Sequence, residues 1–279
     1  PEYSVEPLIA GEPNNETKYV FETIGLDIPK NIETIEFNQN DKVILVDHNE
    51  QSQRHEKIDN DNVIEIVDHH KINLSFVSPV RIDVKPYGST NTIIYDLADS
   101  NNIKLSDESK KLVLASILSD TVGLKSSTTT GFDHNIANEI SKDLDIDTKE
   151  FTFNIFKAKS DISNLSINQI VTKDYKIFDF NHNKVLINQI ETVEPNKIID
   201  LKDEIINELN ELKGQKAVSQ AYVVVTDILN INSYVIFETQ HEKNIIEKAF
   251  VTKAIDNVAD IGPKISRKKD IAPAIESAQ

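Results

Sequence analysis

The sequence predicts an α/β protein, with a parallel sheet in the first part of the chain and a smaller α+β unit after it. Three observations carry this. The runs Val43-Ile44-Leu45-Val46 and Val63-Ile64-Glu65-Ile66-Val67 are rich in β-branched residues and have the continuous apolar character of buried parallel strands. Amphipathic helical stretches alternate with them, the order that builds a parallel sheet. The pattern then changes after Lys159, where Ser160-Asp161-Ile162-Ser163-Asn164 is polar and without period.

Each element has its own reason. Asn15 to Ile24 reads as a helix because Val20, Phe21 and Ile24 share one face. Ser89 to Ala98 and Ser106 to Ser119 read as helices, the latter with Leu112, Ala115, Ser116 and Ser119 at helical spacing. Asp133 to Leu144 places Ile136, Ile140 and Leu144 on one stripe. The second unit has strand-like Tyr175 to Phe180, Lys184 to Thr192, Ala221 to Thr226 and Ser233 to Glu238. Its helices are Asp200 to Leu212 and Glu242 to Phe250. The expected division is a domain over residues 1–159, a linker or hinge at 160–166, and a second domain over 167–279.

Composition narrows the chemistry. The 279 residues hold 30 Lys+Arg against 46 Asp+Glu, a formal charge of −16, which argues against a general nucleic-acid binder. No apolar run approaches the ~20 residues of a membrane helix, and no signal-like segment opens the chain, so the cytoplasm is the expected compartment. Cysteine is absent, which excludes thiolate metal sites, disulfides and a cysteine nucleophile. The seven glycines assemble no GxGxxG and no GxxxxGK[ST].

The candidate chemistry sits at strand ends. Asp47-His48-Asn49-Glu50 follows the first strand, and Asp68-His69-His70 follows the second. Ligands of open parallel sheets bind outside the carboxyl ends of the strands. One Asp-His pair there reads most simply as a turn. Two pairs at equivalent ends put carboxylates and imidazoles side by side, a set suited to manganese, magnesium, cobalt or zinc. Asp120, ending the helix that begins near Ser106, offers a further carboxylate. Ser266-Arg267-Lys268-Lys269 is a tight basic cluster in an acidic chain, and Arg clamps phosphate through two parallel hydrogen bonds. His55, His134, His182 and His241 lie in polar or helical contexts and read as surface residues.

Together these motifs resemble the DHH phosphoesterase superfamily and, within it, the family II, manganese-dependent inorganic pyrophosphatases. Lys85-Pro86-Tyr87-Gly88-Ser89-Thr90, Leu124 to Thr130 and Thr226-Asp227-Ile228-Leu229 agree with it, so the resemblance runs from about Gly11 to Ala274. It implies an N-terminal DHH domain and a C-terminal domain of the DHHA2 kind. It also implies hydrolysis of pyrophosphate to two phosphates by a water activated between two Mn2+ ions, with Mg2+ or Co2+ as possible substitutes. By the resemblance, Asp47 bridges the two metals, and His69 and Asp120 ligate one of them. His70 is catalytic beside the substrate phosphate, and Lys176, Arg267 and Lys268 bind substrate. Closure of a cleft between the domains is expected to assemble the site, in a homodimer. An exopolyphosphatase or other DHH phosphoesterase, or an impaired metal- or phosphate-binding homologue, is the alternative; Ser-Arg-Lys-Lys favours the pyrophosphatase. No nucleotide-sensing insert lies between Glu50 and Asp68. The family opens with a strand, a His-x-x-x-Asp-x-Asp loop and a helix. The sequence begins Pro-Glu-Tyr and does not open with such a unit, so a front βα unit of about 30 residues is expected to be missing from it.

Overall fold

The computed structural model describes residues 5–38, 40–180 and 182–279. It divides into two compact units, Pro1–Ala158 and Lys159–Gln279. No helix among the described residues is long and apolar enough to cross a membrane.

In the first unit β1 (Leu8–Ile9) and β2 (Lys30–Asn31) form a short parallel pair. Between them runs α1 (Asn15–Ile24), capped by the Asn14 side chain, which accepts the Thr17 N–H, and ended by left-handed Gly25. Three parallel strands come next in the order β3 (Val43–Val46), β4 (Val63–Asp68), β5 (Arg81–Val84). The helices α2 (Thr90–Ser100), α3 (Asp107–Asp120), α4 (Gly131–Asp143) and α5 (Thr148–Lys159) complete the unit. Ser89, Ser106 and Thr130 cap the first three of these helices through their side chains. Val113, Leu114, Ile117 and Leu118 of α3 pack against Ile136, Ala137 and Ile140 of α4.

One expectation is corrected. Val43–Val46 is not buried along its length: only Leu45 is, while Ile44 and Val46 are 45% and 43% exposed. Among the described residues β3 is an edge strand, so the period-2 alternation of a half-covered strand replaces the continuous burial of a central one. Its one buried residue joins Val63 and Ile66 in a small cluster.

The second unit fits the buried pattern better. Its sheet runs β10-β9-β8-β7-β6, with α6 (Ile167–Thr172), β6 (Tyr175–Phe180) and β7 (Asn183–Thr192) first in sequence. Then come α7 (Pro195–Ile199), α8 (Lys202–Lys216), β8 (Gln220–Asp227), β9 (Asn232–Ile236), α9 (Gln240–Phe250) and β10 (Val258–Gly262). The pair β7–β8 is parallel and the others antiparallel. Every residue of central β8 is buried. Tyr222 and Val224 face one core, with Ile245, Ile246 and Ile275; Ala221, Val223 and Val225 face the other, with Ile205, Leu209 and Leu212. The chain closes with a π-helical turn, Arg267–Ile271, leading into α10 (Ala272–Ala278).

Candidate active site

Two parallel strands end side by side here. Asp47 follows β3, and its N–H donates to the Val67 carbonyl at 3.0 Å, extending the ladder to the site. Its backbone then turns left-handed at φ 66°, a conformation that Asp, with its short polar side chain, tolerates better than most residues. Its Oδ1 accepts the Thr90 hydroxyl at 2.7 Å.

His69 donates its Nδ1–H to the Tyr87 carbonyl at 3.0 Å. In the neutral ring this leaves the free lone pair on Nε2, which lies 3.5 Å from Asp47 Oδ1. The His70 ring meets that of His69 edge-on, with centroids 4.2 Å apart. Ligand atoms of Asp47, His69 and His70 all fall within 4.8 Å of one another. A carboxylate oxygen and two imidazoles at that separation are the donor types that divalent transition metals take.

Asp68 behaves differently from its expectation as a site carboxylate. It is fully buried, and its oxygens are occupied. Oδ1 accepts the N–H groups of His69 at 2.7 Å and His70 at 3.1 Å and the Nδ1–H of His70 at 2.8 Å, while Oδ2 accepts Asn49 Nδ2 at 2.6 Å. Burial pushes its carboxyl up, but the hydrogen bonds from Asn49 and His70 outweigh it and hold the group below the usual range. The same hydrogen bond holds the His70 imidazole above its ordinary value against desolvation, with the charges of Asp68, Asp47 and Asp120 adding to it. Asp68 therefore orients His70 and favours its charged form.

Asp120 ends α3, where the negative end of the helix dipole gives a carboxylate no support. It lies outside the close trio. Burial pushes its carboxyl up; the Ser89 hydroxyl opposes this by hydrogen bonding, the nearby negative charge of Asp47 adds to it, His69 opposes it, and Glu16 adds to it. A cation would relieve that strain.

In the second unit Ser-Arg-Lys-Lys is not a loose tail. The Ser266 hydroxyl accepts the Lys269 N–H at 3.2 Å, and Asp270 accepts the Ser266 N–H at 3.0 Å, fixing the π-helical turn. Ile271, Ala272 and Ile275 anchor the end of that turn and the start of α10 in the core. The Arg267 guanidinium donates to the Asp174 carbonyl at 2.7 Å and to Asp174 Oδ1 at 2.8 Å. Lys268 is exposed, as is Lys176 on β6, opposite Ile187.

The residues that sequence reasoning did not assign are those behind the ligands: Asp68 as an orienting group, Asn49, Ser89, Thr90 and the Tyr87 carbonyl. The Gly88-Ser89-Thr90 helix start was visible, but nothing in it said which carboxylates its hydroxyls would meet.

Comparison with known proteins fits this arrangement. Residues 5–119 match the DHH family, N-terminal domain, and residues 153–278 match the DHHA2 domain. The chain is 36% identical over 276 residues to the manganese-dependent inorganic pyrophosphatase of Methanothrix thermoacetophila, covering 98% of this chain and 88% of that protein. It is 34% identical over 281 residues to the protein of that name from Methanocaldococcus jannaschii, covering 98% and 90%. A Methanococcus jannaschii crystal structure described as a family II inorganic pyrophosphatase superposes with a TM-score of 0.60 at 33% identity, over 98% of this chain and 90% of that one. The chain is thus a DHH–DHHA2 protein and belongs to the manganese-dependent, family II inorganic pyrophosphatases.

Proposed function

We propose that the chain hydrolyses inorganic pyrophosphate to two phosphates, with manganese as its metal. The observation that carries this is the gathering of Asp47, His69 and His70 within 4.8 Å at adjacent strand ends, in a chain whose relatives bear that name. Asp47, His69 and Asp120 would hold the metal, and Asp47 would bridge a pair of ions. When bound, the metal supplies charge neutralisation for the phosphoryl oxygens and makes a water acidic enough to attack phosphorus.

The protein's own groups do the rest. The Tyr87 carbonyl fixes the His69 tautomer, so that Nε2 is the coordinating atom. Asp68 engages His70 through Nδ1. Protonated, His70 can then donate from Nε2 to a phosphoryl oxygen as charge moves onto the departing phosphate. Arg267, Lys268 and Lys176 bind the substrate's negative oxygens, Arg267 through its planar fork and the lysines as point charges. No side chain needs to form a covalent bond to phosphorus. The two domains are read as residues 1–159 and 167–279, the enzyme as a cytoplasmic homodimer.

Phosphate release from pyrophosphate and from long-chain polyphosphate, each with manganese, tests the reading. Manganese-dependent turnover of pyrophosphate is expected. Preference for polyphosphate would replace the proposal with the exopolyphosphatase reading, and sedimentation of the full chain would check the dimer.

A further inference from the structure

One tetrapeptide touches two of the three proposed metal ligands and reaches the third through Ser116. In Tyr87-Gly88-Ser89-Thr90, the Tyr87 carbonyl accepts His69 Nδ1–H at 3.0 Å. The Ser89 hydroxyl hydrogen-bonds that of Ser116 at 3.1 Å, Ser116 donates to Asp120 Oδ2 at 3.5 Å, and the Thr90 hydroxyl donates to Asp47 Oδ1 at 2.7 Å. The remaining residue, Gly88, donates its N–H to Asp133 Oδ2 at 2.9 Å.

Asp133 lies on α4 and is fully buried. Its Oδ2 also accepts the Thr130 N–H at 2.7 Å and the Thr130 hydroxyl at 2.6 Å, and its Oδ1 accepts the Thr92 hydroxyl at 2.5 Å. The bonds with Thr130 are a helix capping box and need no other purpose. The bond to Gly88 spans 45 residues and belongs to no cap. The approach is so close that a Cβ on Gly88 would lie 2.7 Å from Asp133 Oδ2 and 2.7 Å from Thr121 Cγ2, beside Asp120. Glycine is what lets the tetrapeptide lie against the carboxylate.

We propose that Asp133 is a positioning residue for the metal site: it pins Gly88, and the pinned segment holds His69, Asp120 and Asp47 in coordinating geometry. This rests on the manganese reading above and deepens it. Outer partners of metal ligands are worth about 10–100-fold in metal affinity. A charged acceptor for a buried backbone N–H also resists the small displacements that coordination does not tolerate.

The test is calorimetric titration of manganese into the metal-stripped full chain, with the thermal unfolding of each metal-free variant measured alongside. Asp133→Asn removes the charge and leaves a single acceptor oxygen for donors that now share two, so the Gly88 N–H is held less firmly, and it is expected to weaken manganese binding about 10–100-fold. Thr92→Val removes the Oδ1 bond alone. It should lower the melting temperature yet keep manganese affinity within about twofold. The ¹⁵N shifts of metal-free His69, assigned by their loss in His69→Gln, should report an Nδ1–H tautomer in the parent and a mixture in Asp133→Asn. A folded Asp133→Asn that binds manganese like the parent overturns the proposal. So does loss of affinity in both variants in proportion to their loss of stability.

Should Asp133→Asn not fold, Thr90→Val and Thr90→Ser decide: the first should lose affinity and the second keep it, and equal affinity in the two overturns the positioning role. Asp47→Asn separates the underlying reading. Undiminished binding there removes the metal assignment and this inference together. Lost binding there with intact binding in Asp133→Asn removes the inference alone.

Discussion

In the first unit each residue of the proposed metal site is tied to a neighbour: Asp47 to Thr90, His69 to Tyr87, His70 to Asp68, Asp120 to Ser116. In the second unit the cations that would meet phosphate are long side chains, two of them exposed, and Arg267 leans on Asp174. The difference follows from the ligands. A divalent ion needs several donors at fixed distances, so their rotamers must be set in advance by buried hydrogen bonds. Phosphate oxygens accept a cation from many directions, and a flexible stem can follow them. Rigidity is placed where coordination requires it, and reach where charge alone suffices.

The sharpest way to break this comparison is to remove the residue on which most of the metal geometry converges. Asp47→Ala should abolish most manganese binding and cut turnover by about a thousandfold or more, the scale of the several kcal/mol a catalytic metal supplies. Asp120→Ala should cost less, because Asp47 is proposed to serve two ions and Asp120 one. Manganese titration and phosphate release on both variants check the ranking; equal losses would remove the bridging role.

The second unit also has a rigid charged device, but it serves architecture. Glu242, fully buried, accepts the N–H groups of Ala221, Glu238 and Thr239, and pairs with Lys213 at 2.9 Å. Glu242→Ala leaves three amides without their acceptor and Lys213 with Glu238 as its remaining carboxylate, so at about 1–3 kcal/mol for each unsatisfied amide it should destabilise the unit by about 3–5 kcal/mol. Manganese affinity should be unchanged. Calorimetric unfolding and titration of the same variant test the two halves of that statement.

What was legible in the sequence divides along the same line. Strand ends with Asp-His were readable because local order fixes them: a β-branched run, then a polar turn. Helix α1 was readable to its ends because Asn14 and Gly25 mark them. Strand β5 was not, since Arg81 and Asp83 interrupt a run of only four residues. Nor was α5, whose Phe151, Ile155 and Phe156 lie just before the polar break. Within the candidate site, the groups with chemistry of their own were named from the sequence and the groups that hold them were not. The Tyr87 carbonyl is a backbone atom with no signature, and the Gly88–Asp133 bond joins residues that only the tertiary fold brings together. Asp174 and Arg267 are 93 residues apart, and nothing in either flank announces the pair.

Of the two ways of binding, the one based on reach is tested by Arg267→Ala. It should lower kcat/KM by about 1.5–3 kcal/mol, roughly 10–150-fold, as the loss of a charge-assisted phosphate contact. Manganese binding should be unmoved, since the proposed metal ligands all belong to the first unit. Normal turnover would return the basic cluster to a purely structural role at the start of α10.

The smallest effect is the most instructive about whether Arg267 is held ready or held back. Its guanidinium meets two kinds of partner on Asp174: the backbone carbonyl at 2.7 Å and the carboxylate at 2.8 Å. The carbonyl bond orients the fork without opposing its charge. The carboxylate also neutralises it, and so competes with a phosphate for the same cation. The Asp174 side chain is 61% exposed, and an ion pair with such a partner is worth only about 0.2–1 kcal/mol. Asp174→Asn keeps an acceptor oxygen in place and removes the competing charge. We expect the fold to be unaffected and KM for pyrophosphate to fall by up to about fivefold, with kcat unchanged. Steady-state kinetics at fixed manganese measures this. A rise in KM would mean that the carboxylate positions Arg267 for substrate. The second unit would then pre-set its cation as firmly as the first pre-sets its ligands, and the contrast between them would fail at its most exposed point.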